Sequence, residues 1–372
     1  MHSSVKLLIM KILYFTFLAL FFSCTKSSED TCFIKEGEPF FEGYTQKDPF
    51  TVKQILTHKP EYLEVINLKS YRSFKKDSTD YRSNYYNSEA SEKHWKNQKT
   101  VFADFDEKFF GQFEYSFKQK EGNIQYALGR NNLGYWLLEI KNNQASAYFL
   151  GLSFSHYYFN KIQNIPIVKD GFFQIEGSLV KIVKVPGLPG YDDYSAIGEG
   201  KLFKINLKDL LKDSDKDGFN DIFENSFGLK PDNKDTDGDG INDFKDHNPL
   251  FKSEKNKFTD LYEDLLSQHL GIVEAKLDNL PYFMMPYETD CDYFQKVNPE
   301  AKILIMPENK DKQPYYVRLT DIFSRGYSKI QKDKNDPERF YIYEWGSGST
   351  NDYSAEYKNG KWIFNLIGST VS

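Results

Sequence analysis

The chain runs to 372 residues, 40% hydrophobic and 27% charged, with a formal net charge of −6. That composition is globular, and the near balance of charge, with no dominant Lys/Arg cluster, excludes a nucleic-acid partner held by bulk electrostatics. Three cysteines, with no CxxC pair and no Cys/His cluster, exclude a structural zinc site.

At the N-terminus, Lys6 leads into an apolar run that Lys11 interrupts and that ends at Ser23, directly before Cys24. The run is short for a membrane span and reads as a secretory signal over residues 1–23. A small residue before a cysteine resembles the bacterial lipoprotein pattern, although Phe21 stands where Leu is commoner. Cys24 is therefore the expected lipidation site, and the membrane is the expected partner through its acyl chains. An ordinary cleaved signal peptide and an uncleaved helix are the alternatives. Ser28, Glu29 and Asp30 resemble the acidic export tag of some surface lipoproteins, which implies the cell envelope, as an outer-membrane lipoprotein on either face. Residues 24–48 read as a tether, and Cys32 and Cys291 either pair in an oxidising compartment or stay as two thiols.

Residues 49–206 read as a β-rich antiparallel domain. A short helix is expected near Val52 to His58, while 75–99 fits no element. Alternation at Phe113, Tyr115 and Phe117 within 102–118, then the runs from Gly122, Gly134 and Ser146 separated by Asn131-Asn132 and Asn142-Asn143, predict a meander of strands. Two more strands, 172–185 and 200–207, flank a Gly/Pro-rich stretch from Pro186 to Gly200 that reads as an exposed loop. There Tyr191, Asp192, Asp193 and Tyr194 offer a place where a glycan could be gripped.

The 34 residues from Asp213 to Asp246 contain two twelve-residue acidic loops whose first positions lie 22 apart. Positions 1, 3, 5, 9 and 12 are Asp213, Asp215, Asp217, Asp221 and Glu224 in the first loop, and Asp235, Asp237, Asp239, Asp243 and Asp246 in the second. Position 6 is Gly218 or Gly240, and position 7, Phe219 or Ile241, supplies a backbone carbonyl. Ca²⁺ takes six to eight oxygens, so alternate carboxylates, one carbonyl and a distal carboxylate suit it, and the glycine permits the turn. The apolar residue at position 7 rather than 8, and a short helix after loop one ended by Gly228 and Pro231, depart from sensor EF-hands. The run from Asp213 to Pro249 resembles the bacterial thrombospondin type 3 repeat over about a tenth of the chain. The resemblance implies a small EF-hand-like calcium module, here 207–250, that serves as a rigid metal-organised spacer in secreted and surface proteins and that shares carboxylates between loops. The 34 residues carry eleven acidic and four basic side chains, so metal should fold a segment that otherwise repels itself.

Residues 251–372 read as an α+β domain. Phe258, Leu261, Tyr262, Leu265, Leu266 and Leu270 fall at helical spacing, with Gly271 as the stop. Strands are expected at 301–306, 314–319, 339–345, 352–357 and 361–366, the last two joined by a turn at Lys358, Asn359 and Gly360. The whole is expected to be α+β. No HExxH, GxSxG or phosphate loop occurs, the histidines are scattered singly, and Gly346 to Ser349 reads as a loop, so no catalytic residue is assigned. The leading expectation is a calcium-binding envelope lipoprotein with a structural, adhesion or binding role, its partner a protein or glycan. The alternative is a glycan-binding protein or hydrolase that calcium merely stabilises.

Overall fold

The computed structural model describes residues 27–35, 50–86, 88–184, 192–269, 280–320, 322–346 and 348–371. Cys24, the signal segment and Tyr191 lie outside these residues. The fold is mixed α+β, with strands predominating. Part of the expected tether is ordered: Ser28–Cys32 forms a helix (α1) that Ser27 and Asp30 close with a capping box. Its neighbour Phe33 bridges to Ile330, and Cys32 is disulfide-bonded to Cys291.

The helix expected after Pro49 is Val52–Thr57 (α2), capped by Thr51 and Gln54. After β1 (Leu63–Asn67) come three helices, Phe74–Tyr86 (α3), Ser88–Val101 (α4) and Ala103–Phe109 (α5). None of the three was expected. Residues 75–99 are too polar to show an apolar stripe, and α5 occupies the start of a segment read as strand. The alternation at Phe113, Tyr115 and Phe117 belongs to β2 (Glu114–Glu121), which pairs with β3 (Ile124–Asn131), β4 (Gly134–Lys141) and β5 (Gln144–Phe149) as the expected meander. Asn142 and Asn143 both take positive φ, 50° and 66°, between the paired residues Lys141 and Gln144. That is the turn whose twist suits a two-residue hairpin.

A second antiparallel sheet joins β1 to β9 (Asp192–Asn206), then β8 (Phe172–Lys184), with β6 (Tyr157–Phe159) and β7 (Val168–Lys169) both pairing with β8. Of the loop expected from Pro186 to Gly200, residues 186–191 lie outside the described residues and the rest is a correction. Asp192 to Gly200 is strand, and Asp192 to Gly198 pairs with β8 from Lys184 back to Leu179, with a register shift between Leu179 and Val180. Ladder hydrogen bonds with a long neighbouring strand outweigh the weak strand propensity of Asp and Gly there. After α6 (Leu207–Leu210), the acidic segment contributes one helix, Asp221–Phe227 (α7).

The amphipathic helix follows as Lys257–His269 (α8), burying Leu261, Tyr262, Leu265 and Leu266. Then β10 (Met285–Glu288), α9 (Asp292–Gln295) and β11 (Ile303–Met306) place β10 and β11 side by side in parallel. The strand expected at 314–319 is instead a helix, Tyr315–Leu319 (α10). Tyr316 and Val317 are buried while Tyr315 and Arg318, three apart, face out together, a helical pattern too short to tell from alternation. The last sheet orders β12 (Arg325–Tyr327), β14 (Arg339–Gly346), β15 (Ser349–Lys358) and β16 (Lys361–Val371), with β13 (Gln331–Lys332) also on β14. Asn359 and Gly360 make its hairpin turn, both at positive φ.

Apolar side chains form two cores. The larger takes Trp136 and Phe149 of the meander, Phe219, Phe223 and Phe227 of the acidic segment, and Tyr282 and Tyr316 beyond it. The smaller takes α8, Cys32, Phe294 and the last sheet. β11 lies between them: Leu304 and Met306 enter the larger core and Ile303 and Ile305 the smaller, the two-residue period of a strand divided between two interiors. Among the described residues no helix is long and apolar enough to cross a membrane.

Candidate metal centre

The two acidic loops fold alike, position by position. The first carboxylate accepts from the backbone N–H of positions 4 and 6: Asp213 from Lys216 and Gly218, Asp235 from Gly238 and Gly240. The third accepts from position 5, and the fifth from position 7, where Phe219 and Ile241 each donate at 2.7 Å. The ninth accepts from the backbone and hydroxyl of position 2, Ser214 for Asp221 and Thr236 for Asp243. Short Asp side chains can bond the backbone a few residues away, which is why a run of them folds into tight loops rather than a helix. Gly218 has φ 123°, and a Cβ there would meet the ring of Phe244 at 2.8 Å. Only glycine lets loop two lie that close to loop one.

Carboxylate oxygens of the loops also converge on one another. Asp213, Asp215 and Asp217 form one group whose oxygens lie within 4.8 Å of one another, and Asp235, Asp237 and Asp239 form the equivalent group. A third joins Asp217, Glu224 and Asp243 across the two loops. Asp217 thus belongs to two groups, and its Oδ2 also accepts from the Phe244 N–H of loop two at 3.2 Å.

Glu224 is fully buried, and neither of its carboxylate oxygens has a hydrogen-bond partner. Asp215 and Asp237 each bury one unpartnered oxygen as well. Burial pushes the Glu224 carboxyl up to about 9, helped by the charges of Asp215, Asp217, Asp221 and Asp213. It pushes Asp217 up to about 7, against the Phe219 N–H, and Asp237 up to about 6. Asp215, Asp243 and Asp246 are raised, chiefly by burial. Such groups strongly favour a cation that restores what burial removed. The converging donors are all oxygen, with no thiolate or imidazole among them, so the residues fit a hard cation.

Not every expected ligand joins a group. Asp221 stands outside the three groups; burial raises its proton affinity, but its bonds to Lys212, at 2.7 Å, and to Ser214 outweigh that and lower it. Asp246 accepts from Asn248 N–H at 2.8 Å and stands outside the three groups. Phe219 is buried and packs on Phe223 with ring centroids 4.2 Å apart, whereas Ile241 is exposed. Sequence reasoning missed Lys302. Its ammonium is buried and donates to the carbonyls of Phe244 and Asp246, both at 2.7 Å, and of Asp243 at 3.4 Å. The nearest signal was a lone lysine inside the apolar run at 301–306. His247 turns away, its Nδ1 donating to the carbonyl of Pro299 at 2.8 Å.

Comparison of the chain with protein-family models, with curated proteins and with solved structures gave no match.

Proposed function

We propose that residues 213–246 bind Ca²⁺, and that the ions stiffen a keystone between the N-terminal sheets and the C-terminal α+β part of an envelope lipoprotein with a structural or binding role. The observation that carries this reading is the Glu224 carboxylate, buried and unpartnered, facing Asp217 and Asp243 across the two loops. An anion in that position is tolerable only beside a compensating charge. Many carboxylates at flexible spacing suit Ca²⁺ better than Mg²⁺, which demands a tighter octahedron and keeps its waters. Asp213, Asp215, Asp217 and Glu224 would hold one ion and Asp235, Asp237, Asp239 and Asp243 the other, with Asp217 shared. Lipid anchoring at Cys24 would place the module outside the cytoplasm, where calcium is plentiful and the site would stay filled.

A calorimetric Ca²⁺ titration of the chain from residue 27 onward, beside an Asp217→Asn, Asp239→Asn double variant, tests the reading. The wild type is expected to take up two or more ions and the variant to lose them. If the wild type takes up none at millimolar Ca²⁺, the acidic segment is only a solvated element and the reading fails.

A further inference from the structure

The far side of α7 faces a cavity that none of the acidic loops' chemistry requires. It encloses about 630 Å³ between α2, the Pro60–Tyr62 turn, the segment after β5, α7 and α10. That volume is in the range of sites that hold small organic ligands. Its walls are aromatic: Phe50, Tyr62, Tyr157 and Tyr316 line it, and the exposed Tyr315, its ring centroid 5.7 Å from that of His58, lines it as well. Among these walls sit amide and hydroxyl groups. Gln54 uses Oε1 on the Thr51 cap and Asn225 uses Nδ2 on the Asp221 carbonyl, which leaves the opposite amide atom of each to meet a ligand. His156, buried at 7% exposure, also lines the cavity, its ring held against the backbone of Leu319 and Ser155.

Charge narrows the ligand. Lys59 and Lys212 face Glu61, Asp209 and Asp221 around the cavity. Lys59 donates to the Leu63 carbonyl at 2.5 Å, Lys212 is paired with Asp221, and the two lysines stand against three carboxylates, so the cavity carries no excess positive charge to attract a phosphate or carboxylate. A neutral molecule with flat C–H faces for the tyrosine rings and many hydroxyls for the amides fits what remains.

We propose that this cavity is a binding site for a short neutral oligosaccharide, with Tyr315 as the stacking platform at its mouth and Gln54 and Asn225 as its hydrogen-bonding groups. The site shares Asp221 and Ile222 with the first acidic loop but contains none of the converging carboxylates. It is tested by applying the full chain, in millimolar Ca²⁺, to an array of neutral hexose and N-acetylhexosamine oligomers, then titrating the best binder by calorimetry. At least one oligomer is expected to bind, and Tyr315→Ala and Asn225→Trp are each expected to weaken it by about tenfold or more, a factor worth about 1.4 kcal/mol. Both positions are exposed, so thermal unfolding should stay unchanged and a loss would report the cavity rather than the fold. Binding to no neutral oligomer, binding only to acidic glycans, or binding that survives both substitutions would overturn the assignment.

Discussion

Glu224 and Lys302 are opposite answers to the same burial. The carboxylate has no partner within the chain, whereas the ammonium meets three carbonyl oxygens and lies over the rings of Phe219 and Phe244, at 5.8 and 5.9 Å from their centroids. Burial lowers the Lys302 ammonium to about 8, with Asp246, Asp217 and Asp243 pulling the other way. Replacing it by Met would strand those carbonyls beside a carboxylate cluster, a change expected to cost about 3 kcal/mol or more in equilibrium denaturation. A loss well under 1 kcal/mol would mean the contact is incidental. Glu224 was legible as a candidate ligand because it stands at position 12 of an acidic loop. Lys302 was not, because its partners lie 56 to 59 residues earlier and only folding brings them together.

At the level of elements, α7 borders both the carboxylate cluster and the cavity. Glu224 faces the carboxylates and Asn225 and Ser226 the cavity, while Phe223 and Phe227 pack on Phe149 with centroids 5.8 and 5.4 Å away. The raised carboxyls of Glu224, Asp217 and Asp237 set its pH response. In the calcium-free protein they hold protons that the unfolded chain has already released, from the ordinary carboxylate range up to about pH 9. Stability therefore falls as pH rises through that window, since the folded state binds more protons than the unfolded. Calcium-stripped protein is expected to melt lower at about pH 8.5 than at about pH 5, and added Ca²⁺ to raise the melting point most at the alkaline end, where binding need displace fewest protons. A stripped protein that melts higher at the alkaline end would contradict the cluster described here. The elements legible beforehand were those with a strong local period or turn: the meander, α8 and the hairpin at Asn359-Gly360. α3 and α4 were not, because polar helices on a surface carry no apolar stripe, and α10 was not, because five residues hold barely more than one turn.

On the scale of the whole molecule, the N-terminal segment is bound to the C-terminal core. Cys32 is disulfide-bonded to Cys291, Ser28 and Thr31 donate to Asp292 at 2.6 and 2.7 Å, and Glu29 pairs with Lys332. The bridge closes a sequence separation of 259 residues, so breaking it releases a long loop in the unfolded chain. Cys32→Ser is expected to lower stability by about 2–5 kcal/mol, measured by denaturation against the oxidised wild type, and reductant should abolish the difference. Equal stability without reductant would show that the bonds to Asp292 suffice. The sequence by itself determined the acidic loops, since their carboxylates at positions 1, 3, 5 and 9 and their glycine bond mainly to neighbours within seven residues. It also determined the mixed α+β class, through local periodicity. Tertiary structure alone decided that Cys32 and Cys291 pair, that Asp217 is common to two groups, that β11 divides two cores, and that α7 backs onto a cavity. Each of these is a meeting of residues distant in sequence, set by which apolar faces can be buried together, and no local pattern encodes that choice.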